Sequence, residues 1–73
     1  MLYVWPISYA CEQWGNSGEI VVWADSLDRA KEIVRANFPR KSEPKRLMEL
    51  EKDLAAEPDV YDEKTACSFR FGA

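Results

Sequence analysis

Hydrophobic positions in the first 24 residues follow the two-residue period of β-strands. Large apolar side chains occupy every second position in residues 2–11, and residues 19–24 are mostly β-branched or aromatic. Both stretches predict strands, and the turn-forming residues 15–18 between them predict a β-hairpin. Pro6 cannot donate a ladder hydrogen bond, so the first strand is either a sheet edge or carries a bulge at Pro6.

The apolar period changes to that of a helix after Ala24. Hydrophobic residues then recur at three- and four-residue intervals, at Leu27, Ala30, Ile33, Val34 and Phe38. This spacing predicts an amphipathic helix over residues 27–37. Asp25 or Ser26 offers a side-chain oxygen as its N-cap. Pro39 ends the helix, because the residue before a proline disfavours the α conformation.

A second helix and a last strand complete the predicted order. Leu47, Leu50 and Leu54 indicate a helix over about residues 43–56, with Ser42 as its cap. Residues 58–64 form a predicted acidic loop, and alternation over residues 65–71 predicts a strand. The sequence therefore predicts one α+β domain, residues 1–73, with a small antiparallel sheet of about three strands, two helices and the order β-β-α-α-β.

Both predicted hairpin strands carry large apolar side chains on both faces. In the second strand, Ile20 and Val22 face one side, whereas Val21 and Trp23 face the other. One layer of helix covers one face of a small sheet. The other face is therefore covered either by the second helix or by a partner.

Charge is distributed in blocks along the 73 residues, although the net charge is only −3. Residues 1–28 contain four acidic residues and no basic ones, residues 29–46 contain seven basic residues, and residues 47–63 contain seven acidic residues. Blocks of opposite sign indicate polarised surfaces.

The residue types present argue against catalysis and cofactor binding. The chain contains no histidine and two cysteines, too few ligands for a structural zinc site. We expect Cys11 and Cys67 to be small buried hydrophobes with free thiols in a cytoplasmic protein. The apolar N-terminus is too short to span a bilayer. We therefore predict a protein that is not an enzyme and has no metal, cofactor, membrane or small-molecule substrate.

Two charged segments are candidate binding surfaces. The basic segment, residues 29–46, could contact nucleic-acid phosphates through Arg35, Arg40, Lys41, Lys45 and Arg46. A pI near 4.9 argues against this, because nucleic-acid-binding domains are usually basic. The acidic residues Glu49, Asp53, Asp59 and Asp62 could instead face a basic groove of a partner, although a solvated helix face and loop also explain them.

Two tryptophans are candidate apolar anchors beside the acidic surface. Trp14 lies in the predicted hairpin loop, where it either completes the core or binds a partner as an exposed anchor. Trp23 lies on the sheet face opposite Ile20. The predicted partner-binding set is therefore Trp14, Trp23, Glu49, Asp53, Asp59 and Asp62.

The stretch IVVWADSLDRAKEIV, residues 20–34, resembles the strand-to-helix corner of small α+β domains. The short, acidic chain with surplus aromatic residues and no catalytic groups resembles the small anti-CRISPR proteins of phages and mobile elements. This resemblance implies an inhibitor that binds a CRISPR effector in the host bacterial cytoplasm and blocks its DNA recognition by protein–protein contact. The alternatives are a nucleic-acid-binding regulator that uses residues 29–46 and a module that forms a homodimer.

Overall fold

A computed structural model describes residues 1–61 and 68–72. It contains strands β1 (Leu2–Gln13), β2 (Asn16–Trp23), β3 (Asp59–Tyr61) and β4 (Ser68–Arg70). Helices α1 (Leu27–Asn37) and α2 (Pro44–Ala55) lie between β2 and β3 in the chain. The strands form one antiparallel sheet in the order β3-β1-β2-β4. The predicted α+β class is confirmed, and β3 adds a fourth short strand within the segment that was predicted to be a loop.

The β1–β2 hairpin is tighter than the sequence suggested. Gln13 pairs with Asn16, which leaves Trp14 and Gly15 as a two-residue turn. The predicted loop over residues 15–18 is wrong beyond Gly15, because β2 already begins at Asn16. Trp14 is therefore at the tip of a long, narrow hairpin.

A bulge interrupts β1 at Pro6. Trp5 pairs with Ile20 and Ser8 with Gly18, so β1 advances three residues where β2 advances two. At its start β1 lies between β3 and β2, so it is not a sheet edge there. The bulge at this proline is therefore confirmed, and the pairing with β3, which covers Leu2 to Val4, does not reach Pro6.

The hydrophobic core lies on one face of the sheet, beneath both helices. Tyr3 and Trp5 of β1 join Ile20 and Val22 of β2 in the buried cluster. The helices and their ends contribute Ala30, Val34, Phe38, Leu50 and Leu54. The Trp5 indole also donates to the Ala56 carbonyl at 3.0 Å, which ties the sheet to the end of α2. Since α2 packs on the same face as α1, it does not cover the opposite face.

The two helices begin differently. Ser26 caps α1, as predicted, and its hydroxyl accepts a hydrogen bond from the Arg29 amide at 3.2 Å. The prediction that Ser42 caps α2 is wrong, because Glu43 occupies the N-cap without a side-chain cap bond. Pro44 follows it in the first turn, where the missing N–H costs nothing.

The apolar stripe of α2 is partly confirmed. Leu50 and Leu54 are fully buried in the cluster. Leu47, on the same stripe but nearer the start of the helix, is 37% exposed.

The described part of the C-terminal segment confirms a strand at Ser68–Arg70. The predicted beginning of that strand, residues 65–67, lies outside the described residues and includes Cys67. Cys11 is a free, fully buried cysteine, and burial raises the pKa of its thiol.

Candidate interaction surface

Trp14 is the most exposed large hydrophobic residue in the described part of the chain. Its relative exposure is 81% at the tip of the β1–β2 hairpin. The core alternative for this tryptophan is therefore wrong. Ile7 and Tyr9, farther back on β1, are also more than half exposed.

The backbone at Trp14 adopts a conformation that bulky residues avoid. Its φ is +56°, and φ at Gly15 is +80°. Positive φ at both central residues is the requirement of a type I′ turn, for which Asn-Gly is the favoured sequence. A left-handed conformation costs a non-glycine residue about 1–2 kcal/mol. An exposed tryptophan therefore occupies a position where folding favours asparagine or glycine.

Glu12 links the turn to α2. One carboxylate oxygen accepts a hydrogen bond from the Gly15 amide at 2.8 Å, and the other accepts from the Arg46 guanidinium at 2.9 Å. The hydrogen bond from Arg46 is the main reason that the pKa of the Glu12 carboxyl is lowered. Trp14 is thus attached to a turn that is held at its base.

Asp53 of α2 faces β1 and not a partner surface. It is 5% exposed, and its carboxylate accepts three hydrogen bonds. The donors are the Ser8 hydroxyl at 2.8 Å and the amides of Tyr9 and Ala10 at 3.1 and 3.0 Å. The sequence placed this residue on an acidic surface, but burial and these contacts remove it from that surface.

Two arginines of the basic segment bind the same edge of β1. Arg46 donates to the Tyr9 carbonyl at 3.1 Å, and Arg40 donates to the Glu12 carbonyl at 2.7 Å. Arg40 also lies 4.6 Å above the centre of the Phe71 ring. With Asp53, these side chains satisfy backbone groups that would otherwise form an open strand edge.

The remaining nucleic-acid candidates are largely engaged as well. Arg35 forms two hydrogen bonds of 2.8 Å with Glu51 of α2, and the Lys41 ammonium donates to the Ala36 carbonyl. Lys45 is exposed. Because the arginines contact protein groups, this arrangement argues against a phosphate-binding surface on residues 29–46.

The predicted acidic surface is also reduced. Glu49 pairs with Arg46 at 3.0 Å, and Asp62 lies outside the described residues. Asp59 remains exposed on β3. The predicted acidic residues therefore do not form one continuous charged surface within the described part of the chain.

The structure does bring Asp59 and Trp23 to the same face of the sheet. Pairing places Tyr61, Leu2 and Trp23 in one row and Asp59, Val4 and Val21 in the next. This set of six residues, called here the open sheet face, lies opposite the helices. Val4, Val21 and Trp23 are half-buried.

Trp14 and Trp23 cannot share one small pocket. Trp14 lies just before the start of β2, and Trp23 is the last residue of β2. This eight-residue strand spans roughly 23 Å at 3.3 Å per residue. A partner would contact them as two separate anchors.

Two clefts lie on the part of the chain that the structure describes. A cleft of about 350 Å³ lies between Pro6, residues 16–19 and the Phe71–Gly72 end, with Glu19 as its one ionisable lining residue. A second cleft of about 250 Å³ lies beside Tyr9, Glu49, Lys52 and Asp53. Within residues 1–61 and 68–72, no cluster of three acidic, cysteine or histidine residues could hold a metal ion.

Sequence reasoning missed Glu12. It is the one charged residue in residues 1–18 and stands two positions before Trp14. An isolated carboxylate close to a turn is a signal for a hydrogen bond to turn amides, so this role was accessible to sequence reasoning.

Comparisons of the chain with protein-family models, with curated proteins and with solved structures find no match. Among the described residues, no helix has the length and apolar character needed to cross a membrane.

Proposed function

We propose that this protein acts by binding another protein, without catalysis, and that Trp14 is its principal anchor. The observation that supports this is the combination of 81% exposure and positive φ at a tryptophan. The side chain adds almost nothing to the core, and its backbone conformation is costly. Strained, exposed residues concentrate at functional sites, and tryptophan is enriched among the residues that dominate binding energy.

The fixed base of the turn also favours an anchoring role. The Gly15 amide bonds to Glu12, which in turn bonds to Arg46 of α2. A side chain presented on a rigid turn loses less conformational entropy when it binds than one on a mobile loop. Tryptophan adds large contact area with two side-chain torsions.

The anti-CRISPR resemblance makes a bacterial CRISPR effector the first partner to test. In this proposal the protein acts in the bacterial cytoplasm and blocks DNA recognition by occupying the effector surface. Glu49 is paired and Asp53 is buried, so the apolar anchor carries more of the proposal than charge mimicry does. Trp23 and Asp59 on the open sheet face would form a separate, secondary contact.

The test compares Trp14→Asn with the wild type against purified CRISPR effector complexes. Asparagine suits the turn, so the variant keeps the fold and removes the anchor. We expect Trp14→Asn to weaken binding at least about 30-fold in biolayer interferometry, which is the level of a hot-spot residue. Met48→Gln, which changes an exposed apolar residue on α2, should leave the affinity unchanged.

Three results are informative in this comparison. Binding that survives Trp14→Asn contradicts the anchor proposal. If no effector binds, capture from a bacterial lysate with both proteins shows whether another partner depends on Trp14. A DNA gel shift by the protein alone would favour the nucleic-acid alternative.

A homodimer is a second candidate, because both helices leave the open sheet face uncovered among the described residues. Its aliphatic part consists of the half-buried Val4 and Val21 and of Leu2, which is only 9% exposed, and Trp23 lies beside them. Sedimentation equilibrium tests this directly. A dimer that Trp23→Ser dissociates and Trp14→Asn does not would assign self-association to this face.

A further inference from the structure

We propose that Glu12 is a positioning residue for Trp14: its carboxylate, held by Arg46, fixes the turn before any partner binds. This inference rests on the proposed function, because it explains how the anchor is presented. It assigns a role to a residue that does not itself need to touch the partner.

The two oxygens of Glu12 bond to different elements. One accepts from the Gly15 amide at 2.8 Å, inside the turn, and the other accepts from Arg46 at 2.9 Å, on α2. The Glu12 backbone carbonyl also accepts from Arg40 at 2.7 Å. A single residue therefore connects the hairpin tip to the helix layer.

Arg46 is itself fixed by further contacts. Its guanidinium bonds to the Tyr9 carbonyl at 3.1 Å and to Glu49 at 3.0 Å, and its side chain is 19% exposed. The Glu12 side chain is 31% exposed. A partly buried ion pair with several hydrogen bonds loses less to solvent screening and side-chain motion than a fully exposed pair.

The contacts of Glu12 compensate for a turn sequence that disfavours the observed backbone conformation. Trp14 does not favour the left-handed conformation, so the turn requires support that an Asn-Gly turn would not require. The hydrogen bond from Gly15 to Glu12 supplies support at the next residue. The free protein therefore already presents the anchor in one orientation.

The experiment measures ¹⁵N relaxation order parameters for the Trp14 and Gly15 amides in the free protein. In the wild type we expect about 0.85, the value of rigid backbone. In Glu12→Ala we expect the turn to fall below about 0.6, the range of flexible backbone. The Trp5 indole signal reports whether the core is intact, because that N–H bonds to Ala56.

Glu49→Ala is the matched control. This variant removes the other carboxylate that bonds to Arg46. Glu49 itself makes no described contact with the turn. The turn should stay near 0.85 in this variant. Equal loosening in both variants, or an unchanged turn in Glu12→Ala, overturns the positioning role.

A second variant covers the case in which Glu12→Ala does not fold. Glu12→Gln keeps an oxygen for the Gly15 amide and loses the charge that Arg46 holds, so the turn should loosen by a smaller amount. An unchanged order parameter in Glu12→Gln then overturns the proposal. This measurement needs no partner. The Glu12 variants can therefore leave the turn unchanged while Trp14→Asn still loses binding, or they can loosen the turn while Trp14→Asn binds normally.

Discussion

Asp53 and Trp14 have burial opposite to that expected from their residue types. A carboxylate is 5% exposed and a tryptophan is 81% exposed. The carboxylate is buried because three donors of β1 meet it, which offsets the cost of removing a charge from water. No comparable interaction of the described residues explains the exposed indole, so we propose a binding role for Trp14 and assign Asp53 to folding.

The first residue-level prediction concerns Asp53. Asp53→Ala leaves the Ser8 hydroxyl and the Tyr9 and Ala10 amides without their acceptor. The Ser8 hydroxyl and the Ala10 amide are buried, and buried donors without partners cost about 1–3 kcal/mol each, so we expect a loss of at least about 2 kcal/mol in unfolding free energy. Urea denaturation measures this. Glu57→Ala, at an exposed position after α2, should change stability by less than about 0.5 kcal/mol.

A second residue-level prediction concerns Gly72. Its amide donates to the Cys11 carbonyl at 3.2 Å. A Cβ at this position would lie 1.9 Å from the Asn16 carbonyl oxygen. Because the obstacle is backbone, we expect Gly72→Ala to destabilise the fold by about 2 kcal/mol or more.

Gly15→Ala is the useful comparison for Gly72→Ala in thermal denaturation. A Cβ at Gly15 would meet no atom within 4 Å, but φ there is +80°. Its cost is therefore conformational and near 1 kcal/mol. If Gly72→Ala matched the wild type, the close packing of the C-terminal end against the hairpin would be incorrect.

At the level of elements, the sequence predicts a segment correctly where that segment carries its own cap residue and apolar period. Helix α1 has a cap at Ser26 and a complete apolar stripe, so its bounds were predicted correctly. Strand β3 has three residues, too few for a period to show, and it forms because β1 supplies a partner. Its position within an acidic segment gave no indication of a strand.

The contacts that remove Asp53 from the predicted acidic surface were harder to predict, because they lie in a part of β1 whose pairing with β2 is irregular. The bulge at Pro6 precedes the Tyr9 and Ala10 amides that Asp53 binds. On the sequence of α2 alone, Asp53 lies one helical turn after Glu49 and resembles an exposed acidic residue. Long-range contacts of this kind leave no periodic pattern in either segment.

At the level of the whole molecule, part of the charge is paired internally: among the described residues, four ion pairs join three arginines to four glutamates. The basic residues 29–46 and the acidic residues of α2 meet in the Arg35–Glu51 and Arg46–Glu49 ion pairs. The Arg35–Glu51 pair joins α1 to α2, whereas the Arg46–Glu49 pair lies within α2, so only the first of them stabilises a contact between elements.

This pairing predicts loss of stability in acid. Hydrogen bonds from Arg46 and Arg35 lower the pKa values of Glu12 and Glu51 in the folded protein. A lowered folded-state pKa stabilises the fold above the unfolded value of about 4.3, and this contribution disappears as the pH falls through the folded value. The melting temperature should therefore decrease as the pH is lowered below about 4.3.

The variant Glu12→Gln/Glu51→Gln isolates this effect. Its melting temperature should be lower than that of the wild type at pH 7, and the difference should shrink as the pH falls below about 4.3. Glu57 forms no ion pair among the described contacts. The melting temperature of Glu57→Gln should therefore change with pH as that of the wild type does. A constant difference between pH 7 and pH 3 would contradict the pairing.

Because we propose that Trp14 is retained for binding at a cost to folding, the unfolding free energy of Trp14→Asn is the decisive measurement. Asn-Gly is the preferred type I′ turn, so the variant should be more stable than the wild type by roughly 1 kcal/mol in urea denaturation. A variant that is less stable than the wild type would show that Trp14 serves the fold, and the account of it as a binding anchor would be contradicted.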